Sequence, residues 1–326
     1  MHQSKLLIKK DTGEKFVWTE TLAARSDMQA YIGALDEKVE VHRKVSSDVV
    51  SFHLSALGIG DAISGLYAAC GIANTGRQVQ FHVKHMNWLP QISHPNLEIV
   101  PEKLQPLDAN INYRKQLAAI NSGAIKSRPH WYIQNVAQAY GFELCDPARP
   151  KEVAMPQPSR NGKYVVLVPF SSHGGRDWLY THYRRLAIGL MLQGVKVIAL
   201  CAKHQSKGAT DAFYGLDVEI MAGEPANAVA SVVAHASVVV ANDSGMAHIA
   251  GLFGATCLAL VSQIKPEALF ECAPSVRWVV PETSCALCHN LPENGWDHGC
   301  NWGCSSLQSI SPDGVIQKVL ELYEAT

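Results

Sequence analysis

The stretch SVVVANDSGMAHIAGLFGATCLALV, residues 237–261, places two continuous apolar runs on either side of a segment with a different period. Val238, Val239 and Val240 are β-branched and uninterrupted, which suits a strand buried on both faces of a parallel sheet. The segment MAHIAGLF reads as an apolar helix, and CLALV as a second buried strand. Strand, helix and strand in this succession build an open α/β sheet. The turn between them, Ala241-Asn242-Asp243-Ser244-Gly245, falls at the carboxyl end of a strand, where such sheets take their ligands.

The same alternation extends outward. Pro312 opens a helix carrying Val315, Ile316, Val319, Leu320 and Tyr323. Upstream, YVVLV (164–168) and VKVIAL (195–200) are strands. Residues 180–193 between them form a helix with Tyr183, Leu186, Ala187, Leu190 and Met191 on one face, closed by Gly194. The stretch from Asp146 to Gly162 holds four prolines and no periodicity, and marks a lobe boundary. Before it lies a second alternating set: VVSFHL from Val49, the turn ALGIGD, the helix AISGLYAACGIAN, then RQVQFHV and LEIV. A helix from Pro129 to Gly141 completes the set. The expected fold is α/β, with two Rossmann-like lobes, 48–150 and 151–326, whose parallel sheets face each other across a cleft. Residues 1–47 read differently, with KLLIKK and KFVW around Asp11-Thr12-Gly13-Glu14 as a hairpin and a helical stretch over Ala23–Leu35. This N-terminal extension carries no chemistry; it reads as a structural addition, with acceptor binding or homo-oligomerisation as alternatives.

Of 326 residues 47% are hydrophobic and 17% charged, enough for a sizeable core. Lys and Arg (28) nearly balance Asp and Glu (29), so there is no general attraction for nucleic acid or an anionic membrane. An anionic ligand must be caught by local geometry. The start, MHQSKLLIKKDTGEKF, has no long apolar stretch, and no later run reaches the roughly 18–20 apolar residues of a spanning helix. A cytoplasmic protein without a membrane span is expected.

Three strand-to-helix turns carry chemistry. In Leu57-Gly58-Ile59-Gly60-Asp61 the glycines allow close approach of a ligand. The helix N-terminus keeps the Asp61 carboxylate ionised, so that it can take a proton from a hydroxyl; a plain N-cap is the competing role. In Pro169–Trp178, the hydroxyls of Ser171 and Ser172, the glycines and the guanidinium of Arg176 suit a phosphate, with His173 beside them. In the third turn Ser244 and Gly245 present free amides at a helix N-terminus, a ready anion site. His248 lies one turn along on the same side, and Asp243 either caps the helix or takes sugar hydroxyls.

Taken in order, these turns resemble the family 9 glycosyltransferases, the lipopolysaccharide heptosyltransferase group, over residues 48–326. Asp243-Ser244-Gly245-x-x-His248 matches the family's D-[ST]-G-x-x-H pattern. Ile59-Gly60-Asp61 is similar to its L-G-D turn, and Pro169–Trp178 to its P-G-A-x-x-x-x-K-x-W loop, with Phe170 for Gly and Arg176 for Lys. The resemblance implies the two-lobed GT-B fold and an inverting transfer of heptose or a similar sugar. Lobe 48–150 would bind the acceptor and lobe 151–326 the nucleotide sugar. It implies Asp61 as base, and Ser171, Ser172, Arg176, Ser244, Gly245 and His248 on the donor diphosphate. Asp243 would take the donor sugar, and no catalytic metal is needed. The implied partners are a nucleoside-diphosphate sugar, ADP-heptose or similar, and a glycan or protein acceptor. Where the family pattern has an acidic residue for the ribose, this chain has Cys201-Ala202-Lys203-His204-Gln205, so the resemblance does not carry the donor nucleotide. A catalytically silent nucleotide-sugar binder and a sugar-nucleotide epimerase are the alternatives.

Four of nine cysteines, Cys285-x2-Cys288-x11-Cys300-x3-Cys304, have the spacing of paired knuckles. Four thiolates close a tetrahedral site around zinc or iron with no open position, which makes a structural metal pinning the loop 283–307 the expectation. The autotransporter heptosyltransferases, relatives within the same group, imply iron as the rival to zinc. A nucleic-acid ribbon is disfavoured, because the knuckles enclose no Lys or Arg.

Overall fold

The computed structural model describes residues 5–8, 15–18, 48–54, 58–101, 107–109, 113–172, 174–288 and 303–326. The chain divides into two compact units, Met1–Val45 and Ser46–Thr326. In the first, β1 (Lys5–Ile8) and β2 (Lys15–Trp18) pair antiparallel with Lys5 opposite Trp18. The helix expected over Ala23–Leu35 lies outside the described residues.

The second unit rests on two parallel sheets. β3 (Val49–His53) leads through α1 (Ile59–Asn74) to β4 (Gln78–Val83), followed by β5 (Ile92–Ser93) and β6 (Leu97–Pro101). Next come α2 (Tyr113–Asn121), α3 (Arg128–Tyr140) and β7 (Glu152–Val153). β3, β4 and β6 form a parallel sheet in that order, while β5 and β7 make a short antiparallel pair. Pro129 lies in the first turn of α3, and Gly141 ends it in the left-handed conformation at φ 75°.

The remaining elements begin with β8 (Tyr164–Val168), α4 (Tyr180–Leu192), β9 (Lys196–Cys201), α5 (Ser206–Ala212) and β10 (Val218–Ala222). They continue with α6 (Ala226–Ala234), β11 (Val238–Asn242), α7 (Gly245–Phe253), β12 (Cys257–Leu260) and α8 (Pro266–Phe270). β13 (Val276–Val279), α9 (Ser305–Gln308) and α10 (Pro312–Glu324) complete the unit. The sheet order is β10-β9-β8-β11-β12-β13, and every pairing is parallel. From β8 the chain winds one way through β9 and β10, then returns to lay β11 to β13 on the other side. That reversal opens a crevice at the carboxyl ends of β8 and β11.

β8 and β11 are buried at every residue, as their uninterrupted aliphatic composition predicts. One core joins Phe52, Leu66 and Ile72 to Val166, Val239 and Leu252, so both sheets share packing through α1 and α7. The other face of the larger sheet is covered by α4 and α10, with Trp178, Leu186, Val315 and Val319 buried between them. Among the described residues no helix is long and apolar enough to cross a membrane.

Candidate active site

The loop 169–178 leaves β8 and the turn into α7 leaves β11, so the switch point sets them side by side. Asn242, fully buried at the end of β11, ties them together. Its Oδ1 accepts from the Trp178 amide (3.2 Å) and the Tyr183 hydroxyl (3.1 Å), and its Nδ2 donates to the Pro169 carbonyl (3.0 Å). Asp177 takes the Ser171 amide at 2.6 Å, and Gln263 donates to the Gly175 carbonyl at 3.2 Å. These bonds engage four of the loop's backbone groups, those of Pro169, Ser171, Gly175 and Trp178, and anchor it at those points. Neither Asn242 nor Gln263 has a sequence signal beyond being polar beside an apolar strand.

Within this frame Arg176 donates from Nη2 to Ser172 Oγ at 3.2 Å, and its Nη1 lies 3.6 Å from Asp243 Oδ2. The Ser171 amide is held by Asp177. Ser244, not Asp243, is the N-cap of α7, in extended backbone and without a side-chain capping bond. The Ser244 hydroxyl and Asp243 Oδ2 are buried and have no hydrogen-bond partner among the described residues. Two such groups beside a helix N-terminus and a guanidinium make a polar cradle that an anionic, hydroxyl-bearing ligand would satisfy.

The first turn of α1 meets this cradle. A Cβ on Gly60 would fall 2.7 Å from His248 Cδ2, and one on Gly245 would fall 3.0 Å from Ile59 Cβ. His248 is buried, with its ring against Phe270 at 4.9 Å. Burial, chiefly, holds its pKa down at about 4, although the charges of Asp243 and Asp61 raise it while Arg128 and Arg176 lower it. The imidazole is therefore neutral near pH 7. Asp61 Oδ1 accepts from Arg128 Nη1 at 3.2 Å and from the Tyr132 hydroxyl at 3.5 Å. Asp61, Arg176, Asp243, Ser244, Gly245 and His248 thus come together, joined by Arg128 and Tyr132, which no motif marks.

The sequence profile of Glycosyltransferase family 9 (heptosyltransferase) matches residues 132–293. Just under half of the chain is thus similar to family 9 glycosyltransferases. No curated protein matches the sequence. Among solved structures, the dodecameric iron-containing heptosyltransferase TibC in complex with ADP-D-β-D-heptose, from enterotoxigenic E. coli, aligns with a TM-score of 0.62 at 14% identity. It covers 87% of this chain and 78% of that one. A family 9 glycosyl transferase from Veillonella parvula aligns with a TM-score of 0.58 at 11% identity, over 87% and 99% of the two chains. E. coli ADP-heptose lipopolysaccharide heptosyltransferase II gives 0.53 at 13% identity, over 84% and 98%. These likenesses show the fold, which is GT-B.

The family 9 match takes in the 169–178 loop and the turn into α7, whereas Asp61 and Arg128 lie before it. It also includes Cys285 and Cys288. Cys285 accompanies Thr283 at 3.7 Å, and Leu287, between the two cysteines, adopts a positive φ of 58° with its amide on the Ser262 carbonyl. Cys304 caps α9, its sulfur accepting from the Leu307 amide at 3.4 Å. Cys300 lies outside the described residues, and among the described residues no three potential metal-ligating side chains cluster.

Proposed function

We propose that this chain is an inverting glycosyltransferase that moves heptose or a close analogue from a nucleoside-diphosphate donor to an acceptor hydroxyl. Asp61 takes the hydroxyl proton as that oxygen attacks the anomeric carbon. The anomeric C–O bond to phosphate breaks on the opposite side, and the electron pair leaves with the diphosphate. Arg176, the α7 amides at Ser244 and Gly245, and neutral His248 stabilise the charge that develops there. Ser171 and Ser172 shape the phosphate loop, and Asp243 accepts hydroxyls of the donor sugar. The observation that carries this reading is the pair of buried oxygens, Asp243 Oδ2 and Ser244 Oγ, without a hydrogen-bond partner among the described residues, beside Arg176 and a neutral His248. ADP-heptose is the first donor to try, followed by GDP-, UDP-, CMP- and dTDP-sugars in a thermal-shift series. One nucleotide sugar should stabilise the chain, and Asp61→Asn should keep that stabilisation while losing turnover. No response to any of them, or unchanged turnover in Asp61→Asn, counts against the assignment.

We also propose that Cys285, Cys288, Cys300 and Cys304 hold a structural zinc or iron ion. The donor chemistry fits. Cys304 lies at the start of α9, and the turn through Leu287 brings the chain back between Cys285 and Cys288. The ion would tie the turn through Leu287 to the start of α9. Elemental analysis of purified chain should find about one zinc or iron per chain, absent from Cys285→Ser. A metal-free wild-type chain with the same melting temperature would sink this reading.

A further inference from the structure

The two oxygens of Asp61 are in different environments. Oδ1 is held by Arg128 and Tyr132, both buried, from the first two turns of α3. Oδ2 lies over Gly58, where a Cβ would stand only 2.9 Å away, so the glycine keeps that face clear. The start of α3 is itself anchored. Ser127 donates to Glu271 at 2.5 Å, and His130 lies 3.0 Å from the same carboxylate. Glu271 directly follows Phe270, whose ring packs on His248. The turn that holds Asp61 is therefore braced against the element that packs on His248.

We propose that Arg128 is the positioning residue of the base: it fixes Asp61 through Oδ1 and leaves Oδ2, above Gly58, as the oxygen that receives the acceptor's proton. This rests on Asp61 being the base of the proposed transfer. A carboxylate restrained at one oxygen cannot swing about its Cβ–Cγ bond, so its other oxygen meets the incoming hydroxyl without an orientational search. The guanidinium is always charged and planar, and its fork can hold the carboxylate while Tyr132 donates to the same atom. The ion pair crosses 67 residues of sequence and joins two helices, α1 and α3. Gly58 has φ −91° and ψ 148°, open to any residue, so what demands glycine there is the room for Oδ2.

The test uses the full chain with Arg128→Ala, Arg128→Lys, Gly58→Ala and Asp61→Asn. Crystal structures read the positioning without any substrate. In Arg128→Ala the carboxylate should leave its place over Gly58, and a carboxylate that stays there overturns the proposal. Turnover is followed as nucleoside diphosphate released from ADP-, GDP-, UDP- and dTDP-sugars, with water as acceptor. In Arg128→Ala, kcat should fall about 10- to 100-fold while donor affinity stays within about twofold, and added guanidinium should restore part of the rate. Arg128→Lys should fall between the two, and Gly58→Ala should lose kcat with an unchanged melting temperature. Lost donor affinity with intact kcat would make Arg128 a ligand-binding residue instead, and overturns the proposal while Asp61 keeps its role. Full turnover in Asp61→Asn, or none in the wild-type chain, overturns the underlying reading whatever Arg128 does.

Discussion

Gly60 lies against the imidazole of His248 so closely that a methyl group there would stand 2.7 Å from Cδ2 and 2.9 Å from Nε2. The contact joins the first turn of α1 to the helix whose N-terminus forms the anion cradle. His248 cannot retreat, because Phe270 packs on its ring. Gly60→Ala gains up to about 1 kcal/mol of helix propensity but overpacks the contact by about 1–3 kcal/mol. Chemical denaturation should show net destabilisation, and donor titration should show weaker binding. A variant as stable and as tight-binding as wild type would mean that the two turns do not meet in solution.

The buried His248 makes stability depend on pH in one direction. Its pKa is about 4 in the folded chain against the ordinary 6.5, so between these values the unfolded chain binds more protons. The contribution is fully present above about pH 6.5, falls as the pH drops through the window, and is gone below about 4. It amounts to on the order of 3 kcal/mol. Urea unfolding at pH 7.5 and 5.0 should show a smaller loss in His248→Asn than in wild type. Equal losses would place the ring in water.

Asn242 joins β11 to the 169–178 loop and α4 through hydrogen bonds to Trp178, Tyr183 and Pro169. Asn242→Ala strands buried groups on both sides and should cost about 2–4 kcal/mol. Donor affinity should fall with it, because the loop bearing Arg176 loses its anchor. Equilibrium unfolding measures the first effect and calorimetric titration the second; a cost under about 0.5 kcal/mol would show that water replaces the amide.

Arg176→Lys keeps the charge and loses the fork that spans Ser172 and Asp243. Folding stability should stay within about 0.5 kcal/mol, since the side chain is partly exposed, while donor affinity drops about 5- to 30-fold. Unchanged affinity would mean that the site needs only a point charge there.

The aliphatic strands and the glycine-bounded helices were legible because burial on both faces leaves an unbroken apolar run. Tyr164–Val168, Lys196–Cys201, Val238–Asn242 and Cys257–Leu260 all formed where such runs stand. β10 and β13 escaped notice because they are sheet edges: partly exposed, they carry Glu219 and Arg277 within the strand and lose the signal. Arg128 escaped for a different reason. It precedes Pro129 at a helix start and looks like any solvated cation until α3 is laid beside α1.

Composition, apolar periodicity and the turn residues by themselves determined the α/β class, the strand-to-helix turns and the residue types standing at them, because each depends on neighbours a few positions apart. Only the tertiary structure decided that β8 lies beside β11, that Ser171's amide is already taken, and that Arg128 reaches Asp61 across 67 residues. Those relations depend on which strand pairs with which and which helix covers them, and the local pattern of hydrophobicity is the same for every such arrangement.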